Sequence, residues 1–201
     1  MGPGPPRGVI GPRPHCYTGI MSLAPALLLS MPQLLDPNFA RTVVLLCEHA
    51  AEGAFGLVVN RPSDIRAAEA VSLEPAIDEP NELPLYIGGP VEPHRGWILT
   101  AVPPAEVEHR ELGGGLYLSA SPVLLRRALM ASPLPERTLV LAGYAGWGPG
   151  QLDQELEQSS WLIIPVELDL IFDIPADQSW ETAIRRLGAD PNLLHMGQGV
   201  H

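Results

Sequence analysis

The stretch Asp36–Pro62, DPNFARTVVLLCEHAAEGAFGLVVNRP, decides the fold. Thr42–His49 and Phe55–Asn60 are two runs rich in β-branched and apolar residues, joined by Ala50–Ala54, a short connection that contains Gly53. Two such runs across a short glycine-containing loop predict an antiparallel hairpin. Val43-Val44-Leu45-Leu46 is apolar without alternation. That predicts a strand covered on both faces, in the interior of a sheet. Side chains alternate along a strand, so Val43, Leu45, Cys47 and His49 are expected on one face and Val44, Leu46 and Glu48 on the other.

On that expectation Cys47 and His49 point the same way, with Cα atoms roughly 6.5–7 Å apart. They form a candidate catalytic pair, the thiolate as nucleophile and the imidazole as base or orienter. A thiolate needs a positive or donor environment to fall below the free value of about 8.5. Arg41, Arg61 and His49 are the groups placed to supply it. The competing reading is structural, because free cysteine is among the most buried residue types and behaves as a small hydrophobe. Asn60-Arg61-Pro62 ends the second run, and Arg61 either meets an anion or caps the sheet edge.

Outward from the hairpin, the chain reads as many short strands with a few helices. Strands are expected at Ala26–Ser30, Leu85–Ile87, Gly96–Val102, Leu116–Ser119, Thr138–Ala142 and Trp161–Pro165. Helices are expected at Asp64–Val71, Gln151–Glu157 and Trp180–Leu187, the last capped by Asp177 or Ser179, and a short helix or turn at Glu167–Phe172. Ser121-Pro122 predicts a further helix through Ala131, with Ser as N-cap and Pro in the first turn. Gly88-Gly89 after a strand permits positive φ or close backbone approach, as a binding turn or a tight bend. Gly143–Gly150, GYAGWGPG, reads as a glycine-rich loop between a strand and a helix. Its spacing fits neither dinucleotide nor P-loop fingerprints, and Asp153, Glu155 and Glu157 would repel a phosphate. It is either a ligand site beside Tyr144 and Trp147 or a turn with packed aromatics. The absence of regular strand–helix alternation points to an α+β fold.

The chain has 201 residues and a net charge of −11, and every basic residue is an arginine. The lack of lysine excludes a Schiff base, a P-loop lysine and a lysine general base. An acidic chain with scattered arginines is poorly suited to neutralising nucleic-acid phosphates, so direct nucleic-acid binding is not expected. The two cysteines, Cys16 and Cys47, make no disulfide framework, and a cytoplasmic protein is expected. Leu23–Met31 is too short an apolar run to span a bilayer. Residues 1–20, dense in Gly and Pro, read as a disordered extension, with Met21 as the expected physiological start and 21–201 as a single domain. His15-Cys16, His94, His109, His195 and His201 supply no ligand set, so no metal and no cofactor are expected. Trp97 and Trp180 either mark a dimer surface or pack in the interior, and packing is the expected reading.

DPNFARTVVLLCEHAAEGAFGLVVNRP, LYIGGPV, GLYLSASPVLL, LAGYAGWGPGQLDQEL, SSWLIIP, LIFD and W-x4-RRLG-x-DP follow one another over residues 22–195. Together they resemble the YqgE/AlgH family. The resemblance implies a bacterial, intracellular α+β domain whose bent, mostly antiparallel sheet forms a pseudo-barrel with flanking helices. One branch of that family is described as a transcriptional regulator of alginate synthesis. The resemblance carries over no catalytic residues. The residues themselves suggest a groove where polar groups and glycines follow strand ends, lined by Asn60, Arg61, Gly88, Gly89, Tyr144, Trp147 and Gln151. The expected function is a binding or regulatory domain for a small molecule or protein, acting on transcription indirectly. The alternative is a thiol-dependent enzyme or redox sensor that uses Cys47.

Overall fold

The computed structural model describes residues 22–34, 36–191 and 194. The expected extension at 1–20, the start at Met21, the His15-Cys16 pair, His195 and His201 lie outside the described residues. The central hairpin is present as β2 (Val43–Ala50) and β3 (Gly53–Val58), with a tighter turn than expected at Ala51-Glu52. The other strands are β1 (Ala26–Ser30), β4 (Pro62–Arg66), β5 (Pro84–Ile87), β6 (Val91–Thr100), β7 (Arg110–Gly113), β8 (Leu116–Ser119), β9 (Thr138–Trp147) and β10 (Trp161–Ile164). They run in the order β10-β1-β2-β3-β9-β6-β8-β7, and β5 joins β4 to β9. Every pairing is antiparallel except β5 with β9.

The non-alternating run in β2 is covered on both sides, as a central strand requires. Val43 and Leu45 pack with Leu27, Leu29, Leu57, Leu99, Leu118 and Leu141 on the concave side of the curled sheet. Val44 and Leu46 pack outward with Leu28, Val58, Trp147 and Trp161, under Leu152 of α3 (Gln151–Glu157). A third cluster covers β5, β6 and β9 with Ala67 of α1 (Ala67–Ala70) and Leu125, Ala128 and Leu129 of α2 (Pro122–Met130). Each fully buried leucine contributes roughly 1.5–3 kcal/mol through burial.

The concave core is closed at one end by α4 (Leu168–Phe172) and α5 (Ala176–Arg186), which add Leu170, Ile171, Trp180 and Ile184. Trp180 is buried and donates from Nε1 to the Ser30 carbonyl at 2.9 Å, beside the start of β2. The result is a curled antiparallel half-barrel with flanking helices, plugged at that end.

Several local expectations are corrected. Asp64–Arg66 belong to β4, and only Ala67–Ala70 is helical, because pairing with β5 captures the segment. β7, which is not among the expected strands, forms by pairing with β8 around the three glycines Gly113–Gly115. α5 begins at Ala176, without a side-chain cap from Asp177 or Ser179. Ser121 does cap α2, accepting from the Val123 amide at 3.2 Å.

Candidate functional site

The sequence register places Cys47 and His49 on one face, and a β-bulge undoes that. Leu46 pairs with Gly56, and Glu48 pairs with Phe55, so Cys47 is one extra residue on β2. A bulge resets the alternation beyond it. Cys47 stays with the concave core, 3% exposed, its Sγ 3.5 Å from the Leu45 carbonyl. His49 moves to the outer side. Its Nδ1 accepts from the Leu23 amide at 3.3 Å, and its Nε2 lies 3.3 Å from the Asp153 carboxylate on α3. Burial pushes the Cys47 thiol far above its ordinary value, and Arg110 acts in the opposite direction without offsetting it. A nucleophile requires the reverse.

The expected groove residues fall into separate places. Asn60 Oδ1 accepts from the Val43 amide at 2.8 Å, and its Nδ2 donates to the Arg41 carbonyl at 3.0 Å, which pins the base of the hairpin. Arg61 donates to the Pro37 and Ala40 carbonyls, which bind the preceding turn. Gly88 and Gly89 let two backbones cross. The Gly88 amide donates to the Ala142 carbonyl at 2.7 Å, and a Cβ on Gly89 would sit 2.1 Å from the Tyr144 carbonyl carbon. Gly143–Trp147 is strand rather than loop, because β9 continues through it to pair with β3. Gln151 Oε1 accepts from the Gly148 amide at the start of α3. Trp147 and Trp161 both donate from Nε1 to Glu155 Oε2, at 2.9 and 2.7 Å. Of the seven groove candidates, Tyr144 and Trp147 line the cleft described next.

That cleft, of about 500 Å³, lies at the end of β2 opposite the α4–α5 plug. Phe55 of β3, Trp97 of β6 and Tyr144 of β9 form its aromatic floor above the concave core. The Phe55 ring lies 5.1 Å from Trp97 and 5.2 Å from Tyr144, centroid to centroid, both tilted; Trp97 meets Tyr144 edge to face at 6.4 Å. Glu48, Glu52, Arg95 and Arg110 supply the charges. Arg110 pairs with Glu48 at 2.7 Å. Arg95 pairs with Glu92 at 3.1 Å and lies 4.6 Å over the Trp97 ring. Among the described residues, Trp97 Nε1 is the buried side-chain polar atom with no hydrogen-bond partner. Leaving such a donor unpaired costs about 1–3 kcal/mol.

A family profile described as AlgH-like matches residues 27–192. The chain belongs to the AlgH-like family. A UPF0301 protein of Anaeromyxobacter dehalogenans is 44% identical over 186 residues, covering 88% of this chain and 94% of that relative. A UPF0301 protein of Xanthomonas campestris is 40% identical over 171 residues, covering 84% and 90%. The solution structure of the AlgH protein from Pseudomonas aeruginosa superposes with a TM-score of 0.71 at 36% identity, covering 92% of this chain and 98% of that one. A crystal structure from Corynebacterium diphtheriae shares the fold, with a TM-score of 0.61 at 24% identity.

In this AlgH-like chain the cleft residues that sequence reading missed are Phe55, Arg95, Trp97, Arg110 and Glu48. They come from β2, β3, β6 and β7, and only sheet curvature assembles them. The available signal was Gly96-Trp97, a large aromatic within a strand beside Arg95. Among the described residues no group of three or more His, Cys, Asp or Glu converges to hold a metal. No helix among them is long and apolar enough to cross a membrane.

Proposed function

We propose that this AlgH-like chain is a cytoplasmic binding domain that receives a small molecule in the cleft at the open end of the half-barrel. The observation that carries the reading is the aromatic floor of Phe55, Trp97 and Tyr144 beneath a charged rim, in a cleft of drug-like volume. The regulatory part of the reading rests on the YqgE/AlgH resemblance, and a protein partner would relay the bound state to transcription. Direct DNA contact is disfavoured by the net charge of −11. Each described arginine is engaged with a carboxylate or a backbone carbonyl: Arg61, Arg126 and Arg127 hold loops, and the remainder make ion pairs. The thiol reading has no comparable support, since Cys47 faces the core rather than the cleft.

The test is a fragment screen followed by amide and indole NMR shifts. Hits are expected to perturb Phe55, Trp97 and Tyr144, and Tyr144→Ala is expected to weaken them at least about fivefold, roughly the 1 kcal/mol of one aromatic contact. If every hit maps elsewhere, the reading fails.

A further inference from the structure

The geometry points to a ligand class for this cleft: a small planar-ring acid, with its ring on the aromatic floor and its anion between the Arg95 and Arg110 guanidiniums. The inference rests on the proposed binding role and deepens it. The floor supplies ring edges and faces at mixed angles, which suits a flat apolar body inserted edge-to-face. The anion assignment comes from the two arginines. Each uses Nη1 on a carboxylate, Arg95 on Glu92 and Arg110 on Glu48. A guanidinium has five donors, so each fork keeps donors for a carboxylate or phosphate oxygen. Both forks are already oriented, Arg95 by its stack on Trp97 and Arg110 by Glu48. Orientation before binding lowers the entropy lost on binding.

The opposite sign is less well served. Glu48 is neutralised by Arg110, and Glu52 sits exposed in the hairpin turn. A cation would therefore find Glu52 at the exposed turn, whereas an anion finds two guanidiniums that each keep donors beyond their ion pair. The orphaned Trp97 Nε1 adds a consequence. It is buried, and Arg95 is a half-exposed cover over its ring. A ligand acceptor that reaches the edge of the ring satisfies that donor while Arg95 stays on the ring face. Binding and relief of the orphan are then one event.

The probes are 2-naphthoate and 2-naphthamide, which share ring and shape and differ in charge. Each is titrated into full-length protein while the Trp97 indole and the Phe55 and Tyr144 amides are followed by NMR. The acid is expected to bind at least about tenfold tighter than the amide, equivalent to one charge-assisted contact. Its affinity should fall with added salt, and the Trp97 indole proton should move as its donor is engaged. Arg95→Gln and Arg110→Gln are each expected to weaken the acid by a larger factor than the amide, which narrows the gap between the two. Both sites are half exposed, and an unchanged spectrum away from the cleft confirms that a variant is folded. Equal binding of acid and amide, or acid binding indifferent to both arginines, overturns the ligand class and leaves the binding role standing. The same holds if neither probe binds while other fragments perturb the cleft. If no fragment perturbs it, both readings fall.

Discussion

At Cys47 burial opposes thiolate formation, because the sulfur lies within a leucine-lined core where a charge is poorly solvated. The unfolded chain loses this proton near pH 8.5, the ordinary thiol value, whereas the folded chain keeps it to much higher pH. Above the ordinary value the unfolded state binds fewer protons, so the Cys47 contribution is complete below that pH and is lost as pH rises beyond it. In a Cys16→Ser background, Cys47→Ala is expected to flatten the alkaline part of the stability curve, at a general cost of about 1–2 kcal/mol. Urea denaturation across the alkaline range reads this slope. A slope identical in both proteins would show that Cys47 ionises as freely folded as unfolded. Alkylation of native protein should likewise proceed only through unfolding, and rapid labelling would contradict the burial. His49 illustrates the same point: its hydrogen bonds to the Leu23 amide and toward Asp153 tie the chain entry to α3, a positional task.

Between elements, two kinds of fastening hold the sheet around the cleft. The first is the backbone crossing at Gly88-Gly89. Gly89 has φ of +152°, and an added Cβ would meet the Tyr144 backbone. Gly89→Ala is expected to lose more than about 3 kcal/mol, combining strain with a backbone clash. Gly150→Ala is the control: φ is +69° there but nothing lies within 4 Å, so the loss is expected to stay at about 1–2 kcal/mol for the left-handed backbone alone. Equal losses in thermal denaturation would show that the crossing is not a constraint. The second fastening is Glu155 on α3, which accepts from the indoles of Trp147 and Trp161. Glu155→Ala leaves two buried donors without an acceptor and should cost about 2–5 kcal/mol.

For the whole molecule, curvature sets what the strands can build together. The inner face of β2 runs from the Trp180 plug to the Glu48–Arg110 pair, so one end of the half-barrel is filled and the other is open. The rim pairs are half exposed, and each contributes only about 0–1 kcal/mol, so charge changes there should alter ligand affinity and leave stability nearly constant. A charge of −11 predicts no mobility shift of duplex DNA even at low salt. A salt-sensitive shift would reverse that expectation. Much of this architecture was legible in the residues. Val43–Leu46 announced a doubly covered strand, Ser121-Pro122 a helix start, and the ordered motifs the AlgH-like half-barrel. Those features are local or periodic, and short-range sterics and burial determine them. The bulge at Cys47 was not legible, because its position depends on the register with β3, and one extra residue reverses every side chain beyond it. Nor was the cleft. Phe55, Trp97 and Tyr144 are distant in the chain and each is an ordinary strand aromatic alone; only the pairing of β3, β9 and β6 in a curled sheet brings their rings together.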